Sequence, residues 1–492
     1  MWGRATRTVP LYCRPDRWCR DPLLIEAQDL SLSALGWRSA SELRSDVPRS
    51  RPALAADETL FYDLPMPGPA TESMILTFEA ARRTVERHAS QIRAASTETR
   101  TLLHAANRVL AELITADRDI PPFPRSTRDG YAVRSADLAT LPAKLKLIGE
   151  IKAGPSENPR PIASGETYSI MTGAPVPPEA DAVIMIEYTA QQAGVIEIQR
   201  PATPGENIVP QAAEAKRGAL LLEPGTRLNE SAIALAASVG KSALQVFTRP
   251  RIAILTTGDE IVDIDREPGL SQIRNSNSYS LAVQIQQACG EPIILPIAPD
   301  EPSRLRELIE QGFESDLLIM TGGVSMGRYD LVEQVLAELR AEFFFTGAKI
   351  QPGRPVVFGQ VPHDLCGSGR LARSEASAPR HKYFFGLPGN PVSTMVTFEL
   401  FTRPIVEALA GMKPHPIAFL HARLKTEIQI KPGLTRFLPA ILFGEYANSR
   451  VELVPWQGSG DIAAQSRSNC YIVIPPDREQ IAAGEWVAIL PH

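Results

Sequence analysis

Residues 316–330 read DLLIMTGGVSMGRYD. Leu317 to Met320 is too short and too uniformly apolar for an amphipathic surface helix, so it predicts a parallel strand buried on both faces. The run stops at paired glycines. Thr321, Gly322, Gly323 and Ser325 then offer backbone N–H groups that little or no side chain shields. Such a turn is expected to cradle an anion, phosphate above all.

Two further segments repeat the design. In RIAILTTGDEI (251–261), Ile252 to Leu255 predicts a strand, Thr256, Thr257 and Gly258 a turn, and Asp259 and Glu260 acids just beyond the strand's carboxyl end. In KYFFGLPGNPVSTMVTFELF (382–401), a strand ends at Leu387, Pro388, Gly389 and Asn390, and a helix is expected to open near Ser393. Pro391 suits a first helical turn, where free N–H groups and the helix dipole favour an anion. In open parallel sheets ligands bind outside the carboxyl ends of the strands, so the three turns are expected to converge on one crevice.

Carboxylates beside a phosphate cradle would repel the ligand unless a cation lay between them. Glu260 and Asp330 at strand ends therefore suggest Mg²⁺ or another hard metal, whose plainer alternative is helix capping or pairing with Arg. Asp300, after LPIAP (295–299), lies at another predicted strand end, where it would by itself serve as the N-cap of a helix over Ser303 to Glu310. Asp129 stands in STRDGY (126–131), either in an Asx-turn or projecting from a separate domain. Lys349 and Arg354, around Gln351-Pro352-Gly353, would complement an anionic ligand.

The chain has 492 residues and a formal charge of −5. At roughly 150 residues per domain, about three domains are expected. The charge gives no basic footprint for nucleic acid, and no apolar stretch reaches the roughly 18 residues of a membrane span. Five cysteines without CxxC or zinc-ligand spacing fit a reducing cytoplasm. There is no GxSxG elbow and no GxxxxGK[ST] loop, so serine-hydrolase and P-loop ATPase mechanisms lose support.

Residues 1–73 mix Arg, Pro and Trp without a period and read as an extension that is disordered or an over-long gene start. Ile75, Phe78, Val85 and Ile92 predict a first helix, and the spacing of Leu102, Leu103, Ala106, Val109, Leu110 and Leu113 a second over Arg100 to Ile114. NESAIALAASV (229–239) predicts another, capped by Asn229 or Ser231. Together 74–118 and 211–250 are expected to form an elongated helical linking domain interrupted by a β-rich insertion, 119–210. Alternating strand and helix patterns over 251–412 predict an α/β domain with a parallel sheet, and 363–381 a surface loop within it. Short strands in 413–492, such as RFLPAILF and YIVIPP, predict a β-barrel or sandwich.

Taken in order, PPFPRSTRDGYAVRSAD, MTGAPVPPEADAVIMIE, AILTTGDEI, MTGGVSMGRYD, FGLPGNPVSTMVTFEL and WQGSGDIAAQSRSNCYIVIP resemble the MoeA family of molybdopterin molybdenumtransferases, which includes the E domain of gephyrin. The resemblance runs from about Met74 to His492. It implies a MogA-like central α/β domain and a closing small β-barrel. It also implies that the enzyme takes molybdopterin adenylate, releases AMP and inserts molybdate at the dithiolene with Mg²⁺ assistance. Glu260, Asp300 and Asp330 would then handle metal or molybdate, with Asp129 and Thr172 on the opposing wall. That wall would come from the β-rich insertion, as a homodimer would allow from a second subunit, and the implied upstream partner is an adenylyltransferase. Two departures stand out. Many relatives have Asn-Ser-Ala-Met before DGYA, where this chain has Arg125-Ser126-Thr127-Arg128, and many have lysine where this chain has Gln351. Arg128 or Lys349 is expected to supply the missing charge. The rival readings are a non-catalytic molybdopterin-binding scaffold or carrier and an adenylyltransferase of the MogA type.

Overall fold

In this computed structural model the described residues are 74–94, 96–154, 159–322, 331–362 and 381–492. Residues 1–73, most of the expected 363–381 loop, and Gly323, Ser325 and Asp330 lie outside them.

The apolar runs form the expected sheet. Strands Glu291–Ile294, Arg251–Thr256, Leu317–Thr321 and His381–Leu387 lie side by side in parallel. Alternate side chains enter two different cores. Ile252, Ile254, Leu317 and Ile319 join one cluster with α1 (Phe78–Gln91), while Ala253, Leu255, Leu318 and Met320 join another with Leu305, Leu308 and Ile309. Burial on both faces is why the sequence runs apolar without alternating. Two edge strands complete the sheet in antiparallel sense, Val357–Pro362 against His381–Leu387 and Glu342–Phe345 outside it. The purely parallel expectation thus holds for four strands and gives way at this edge.

The expected helix over 100–114 is absent. Thr97–Thr101 is a strand paired antiparallel to Ala243–Phe247, followed by a single 3-10 turn at Leu102–Ala105. Backbone bonds from Asn107 and Leu110 to Leu228 and Thr226 fix the rest. Leu103 and Leu113, which a helix would have buried, are 81% and 59% exposed. Long-range strand pairing satisfies the backbone groups that a local helix would have used, and it overrides the apolar spacing. The flanks of the insertion do pack together, through Ala105, Leu110 and Ile114 against Leu228, Ala232 and Ala236. The last two belong to α2 (Glu230–Ser238), whose first turn is capped by Asn229 as expected, its side chain accepting from Ala232 N at 2.9 Å.

Between these flanks lies a six-stranded sheet in the order Ala182–Met185, Gly130–Val133, Glu166–Ile170, Ala143–Ile151, Val195–Ile198 and Thr189–Gln192. Its entry and exit strands meet at Ile120 and Ala215, which exchange both backbone hydrogen bonds. At the other end of the chain, Leu420–Leu424, Thr435–Phe443, Arg450–Leu453, Cys470–Ile474 and Trp486–Pro491 close into a five-stranded barrel. The barrel alternative of the sequence reading is therefore the one adopted.

Candidate active site

The three glycine turns follow adjacent strands whose ends are level, with Thr256 opposite Thr321 and Thr321 opposite Leu387. They are packed backbone to backbone. A Cβ on Gly322, whose φ is +85°, would lie 2.4 Å from Thr257 O, and a Cβ on Gly389 would lie 3.4 Å from Gly322 Cα. At Gly322 only a residue without a side chain lets the turns approach so closely, while Gly389 would bring a Cβ just into van der Waals contact. Thr257 N donates to Thr321 O at 3.0 Å, while the buried hydroxyl of Thr257 has no hydrogen-bond partner among the described residues. A buried orphan hydroxyl at the mouth of a glycine cradle suits a polar ligand atom.

The next helix, α5 (Pro391–Thr397), begins at Pro391, two residues earlier than expected, with Pro in its first turn. Asn390, at its N-cap position, reaches the barrel, where its side-chain amide donates to Ser459 Oγ at 2.9 Å and Ser459 O accepts from Val392 N at 3.0 Å. The loop 457–461 thereby borders the crevice, a contribution the sequence reading assigned only to the barrel.

Beside the first turn stands a group of acids. Gly258 has φ +130°, and a Cβ there would lie 2.5 Å from Glu260 Oε2, so the Glu260 side chain folds back over the glycine. Asp300 N donates to Asp259 Oδ1 at 3.1 Å. Asp300 is not the expected N-cap; that position belongs to Glu301, with α4 (Pro302–Gly312) starting directly at proline. Lost hydration at the crevice edge, and then the neighbouring charges of Asp259 and Glu260, push the Asp300 carboxyl above its usual range. The sequence places Asp259 beside Glu260 beyond the strand end without assigning it a role; the fold joins it to Asp300. Among the described residues no three His, Cys, Asp or Glu side chains group closely enough to hold a metal ion. The donors are nevertheless of the hard oxygen type that suits Mg²⁺, which commonly takes only one or two carboxylates and completes its shell with phosphate and water.

Asp129 and Thr172 come together in the inserted sheet. Asp129 precedes Gly130–Val133, Thr172 follows Glu166–Ile170, and Gly130 pairs with Ile170. Asp129 Oδ1 accepts from Thr172 N at 2.6 Å and from its hydroxyl at 2.8 Å. This is a contact across 43 residues, not a local Asx-turn. Those two bonds, the backbone one first, hold the Asp129 carboxyl below its usual range.

Lys349 and Arg354 are exposed on either side of a turn whose Gly353 (φ +105°) rests against Thr397 of α5. Val357, shortly after, pairs antiparallel with Gly386, which puts this turn at the same end of the sheet as the glycine loops. Arg125 pairs with Glu214 at 2.9 Å, so one of the two arginines before Asp129 is already engaged.

Residues that the sequence reading did not single out lie just behind the turns. Asn277, the first residue of α3 (Asn277–Gln287), is buried and donates from Nδ2 to Thr321 Oγ1 at 3.0 Å and Gly389 O at 2.7 Å. Asn275 and Ser278 bond each other and the Thr256 hydroxyl. The only local sign is the polar string NSNS (275–278), which reads as a helix cap.

Residues 76–240 match the family described as MoeA N-terminal region (domain I and II), 253–408 the probable molybdopterin binding domain, and 421–492 the MoeA C-terminal region (domain IV). The chain belongs to the MoeA family. A molybdopterin molybdenumtransferase of Nostoc sp. is 33% identical over 404 residues, covering 79% of this chain and 87% of the relative. One from Haemophilus influenzae is also 33% identical, covering 80% and 94%. The crystal structure of a molybdopterin biosynthesis MoeA protein from Pyrococcus horikoshii is 31% identical, covers 85% of this chain and 99% of its own, and superposes with a TM-score of 0.61. The MoeA assignment thus spans the glycine turns, the inserted sheet and the barrel together. Among the described residues no helix is long and apolar enough to cross a membrane.

Proposed function

We propose that this MoeA family member is a molybdopterin molybdenumtransferase, which takes molybdopterin adenylate, inserts molybdate at the dithiolene and releases AMP. The observation that carries the reading is the level alignment of Thr257-Gly258, Thr321-Gly322 and Pro388-Gly389-Asn390 at three adjacent strand ends, with Glu260 and Asp300 alongside. The glycine turns would bind phosphate oxygens through unshielded N–H groups, to which Gly323 and Ser325 would add their own. Lys349 and Arg354 would complement the ligand's charge from the neighbouring edge, and Lys349 or Arg128 would stand in for the charge missing at Gln351. Asp129 and Thr172 would form the facing wall.

Glu260, Asp300 and Asp330 would hold Mg²⁺, which when bound would screen carboxylate from phosphate and polarise phosphoryl oxygens. The carboxylates themselves would repel the adenylate's anionic oxygens and so turn them toward the N–H groups of the glycine turns. We place the enzyme in the cytoplasm as a homodimer, supplied by an adenylyltransferase.

Single-turnover release of AMP and formation of molybdenum cofactor from purified protein, molybdopterin adenylate, molybdate and Mg²⁺ tests the reading. The expected result is molybdate-dependent product from wild type, with most turnover lost in Asp330→Asn, whose fold stays intact because a charged group is exchanged for its neutral isostere. Tight binding without turnover would make the chain a scaffold or carrier. ATP-dependent adenylation of molybdopterin would make it an adenylyltransferase.

A further inference from the structure

The crevice depends on how three backbone turns are spaced, and one buried side chain ties them together. Asn277 opens the helix that follows the first turn, and its carboxamide donates to the second turn at Thr321 Oγ1 and to the third at Gly389 O. The polarity of this network is fixed by its acceptors. Gly389 O only accepts, so the amide nitrogen must face it. Thr321 Oγ1 gives its proton to Pro388 O at 3.1 Å, so its lone pair receives from Asn277. Behind it, Thr256 Oγ1 lies 2.8 Å from Ser278 Oγ, and Ser278 N donates to Asn275 Oδ1 at 3.1 Å, which seats the first turn of α3 on the end of its own strand. The partners of Asn277 lie 44 and 112 residues away in sequence. No local geometry therefore requires an asparagine here.

We propose that Asn277 is a positioning residue that sets the separation of the Thr321-Gly322 and Pro388-Gly389 turns, and so the width of the anion cradle. It acts through Thr321 and Gly389. The substrate it serves is taken from the transferase reading, but the spacing role is independent of it.

Asn277→Asp keeps the shape and replaces two donors by acceptors facing a carbonyl and a hydroxyl. Asn277→Ser keeps one shorter donor and serves as the milder variant should the first fail to fold. Two readouts are compared with wild type: hydrogen exchange of peptides covering 387–394, with barrel peptides 435–443 as internal control, and KM against kcat for molybdopterin adenylate. Loss of a buried hydrogen-bonded pair is expected to speed exchange at 387–394 and raise KM, each about tenfold, with kcat within about threefold and the barrel unchanged. Unaltered exchange at 387–394, or equal loosening of the barrel, overturns the proposal and leaves Asn277 as one more core residue. If wild type shows no transfer, the transferase reading fails while the exchange comparison still decides the role of Asn277.

Discussion

A single carboxylate oxygen of Asp129 takes both the backbone N–H and the hydroxyl of Thr172, at 2.6 and 2.8 Å. Both bonds favour the ionised form, so the carboxyl titrates below its usual value. With a folded value below the unfolded one, the contact stabilises the fold above the ordinary Asp range, and that contribution is lost as pH falls through the lowered value. Thr172→Val removes the hydroxyl and spares the backbone donor. The Asp129 titration, followed by carbon-13 NMR of labelled aspartate, should move to higher pH; an unmoved titration would mean the hydroxyl contributes nothing.

Gly322→Ala tests the contact between turns. The new methyl would meet Thr257 O at 2.4 Å, at a φ of +85°. A loss of about 2 kcal/mol in urea unfolding is expected from strain and displacement of the turn, together with loss of AMP binding. Wild-type stability and affinity would show that the turns are looser than described.

Asp300→Asn should stabilise the protein and stop it working. The Asp300 carboxyl holds its proton more tightly in the folded state, so its contribution to stability falls as pH rises from the ordinary Asp range through the raised folded value. At neutral pH the ionised group is a net penalty, and removing its charge should raise Tm. Since Asp300 is exposed, the gain is at most about 1 kcal/mol. Molybdate-dependent turnover should drop sharply in the same variant. A fall in Tm would contradict the repulsion from Asp259 and Glu260.

Gly130→Ala tests the inserted sheet. A Cβ there would fall 1.9 Å from Ile184 O, at the end of the pairing of Gly130–Val133 with Ala182–Met185. The strand cannot stay in register, and a loss above about 2 kcal/mol is expected, with protease cleavage concentrated within 121–214. Uniform cleavage along the chain would argue against a local effect.

The α/β layer was legible because its central strands are buried on both faces, so Ile252 to Leu255 and Leu317 to Met320 declare themselves as apolar runs that end at glycine. The site was legible as far as its residues sit on those runs or on the turns after them. The segment 100–114 misled because Leu102, Val109 and Leu110 fall at helical spacing by coincidence, while their actual partners, such as Val246 and Arg227, are more than a hundred residues away. Asn277 was hidden for the same reason. Its polar string looks like any cap, and only the folded chain brings Gly389 to it.

Ile120 and Ala215 exchange hydrogen bonds at 2.8 and 3.0 Å, where the chain enters and leaves the inserted sheet. The whole inserted sheet bearing Asp129 and Thr172 is therefore a cassette on a narrow neck. Its two ends already stand as neighbours, so it can be cut out and replaced by a short hairpin without stretching the chain on either side.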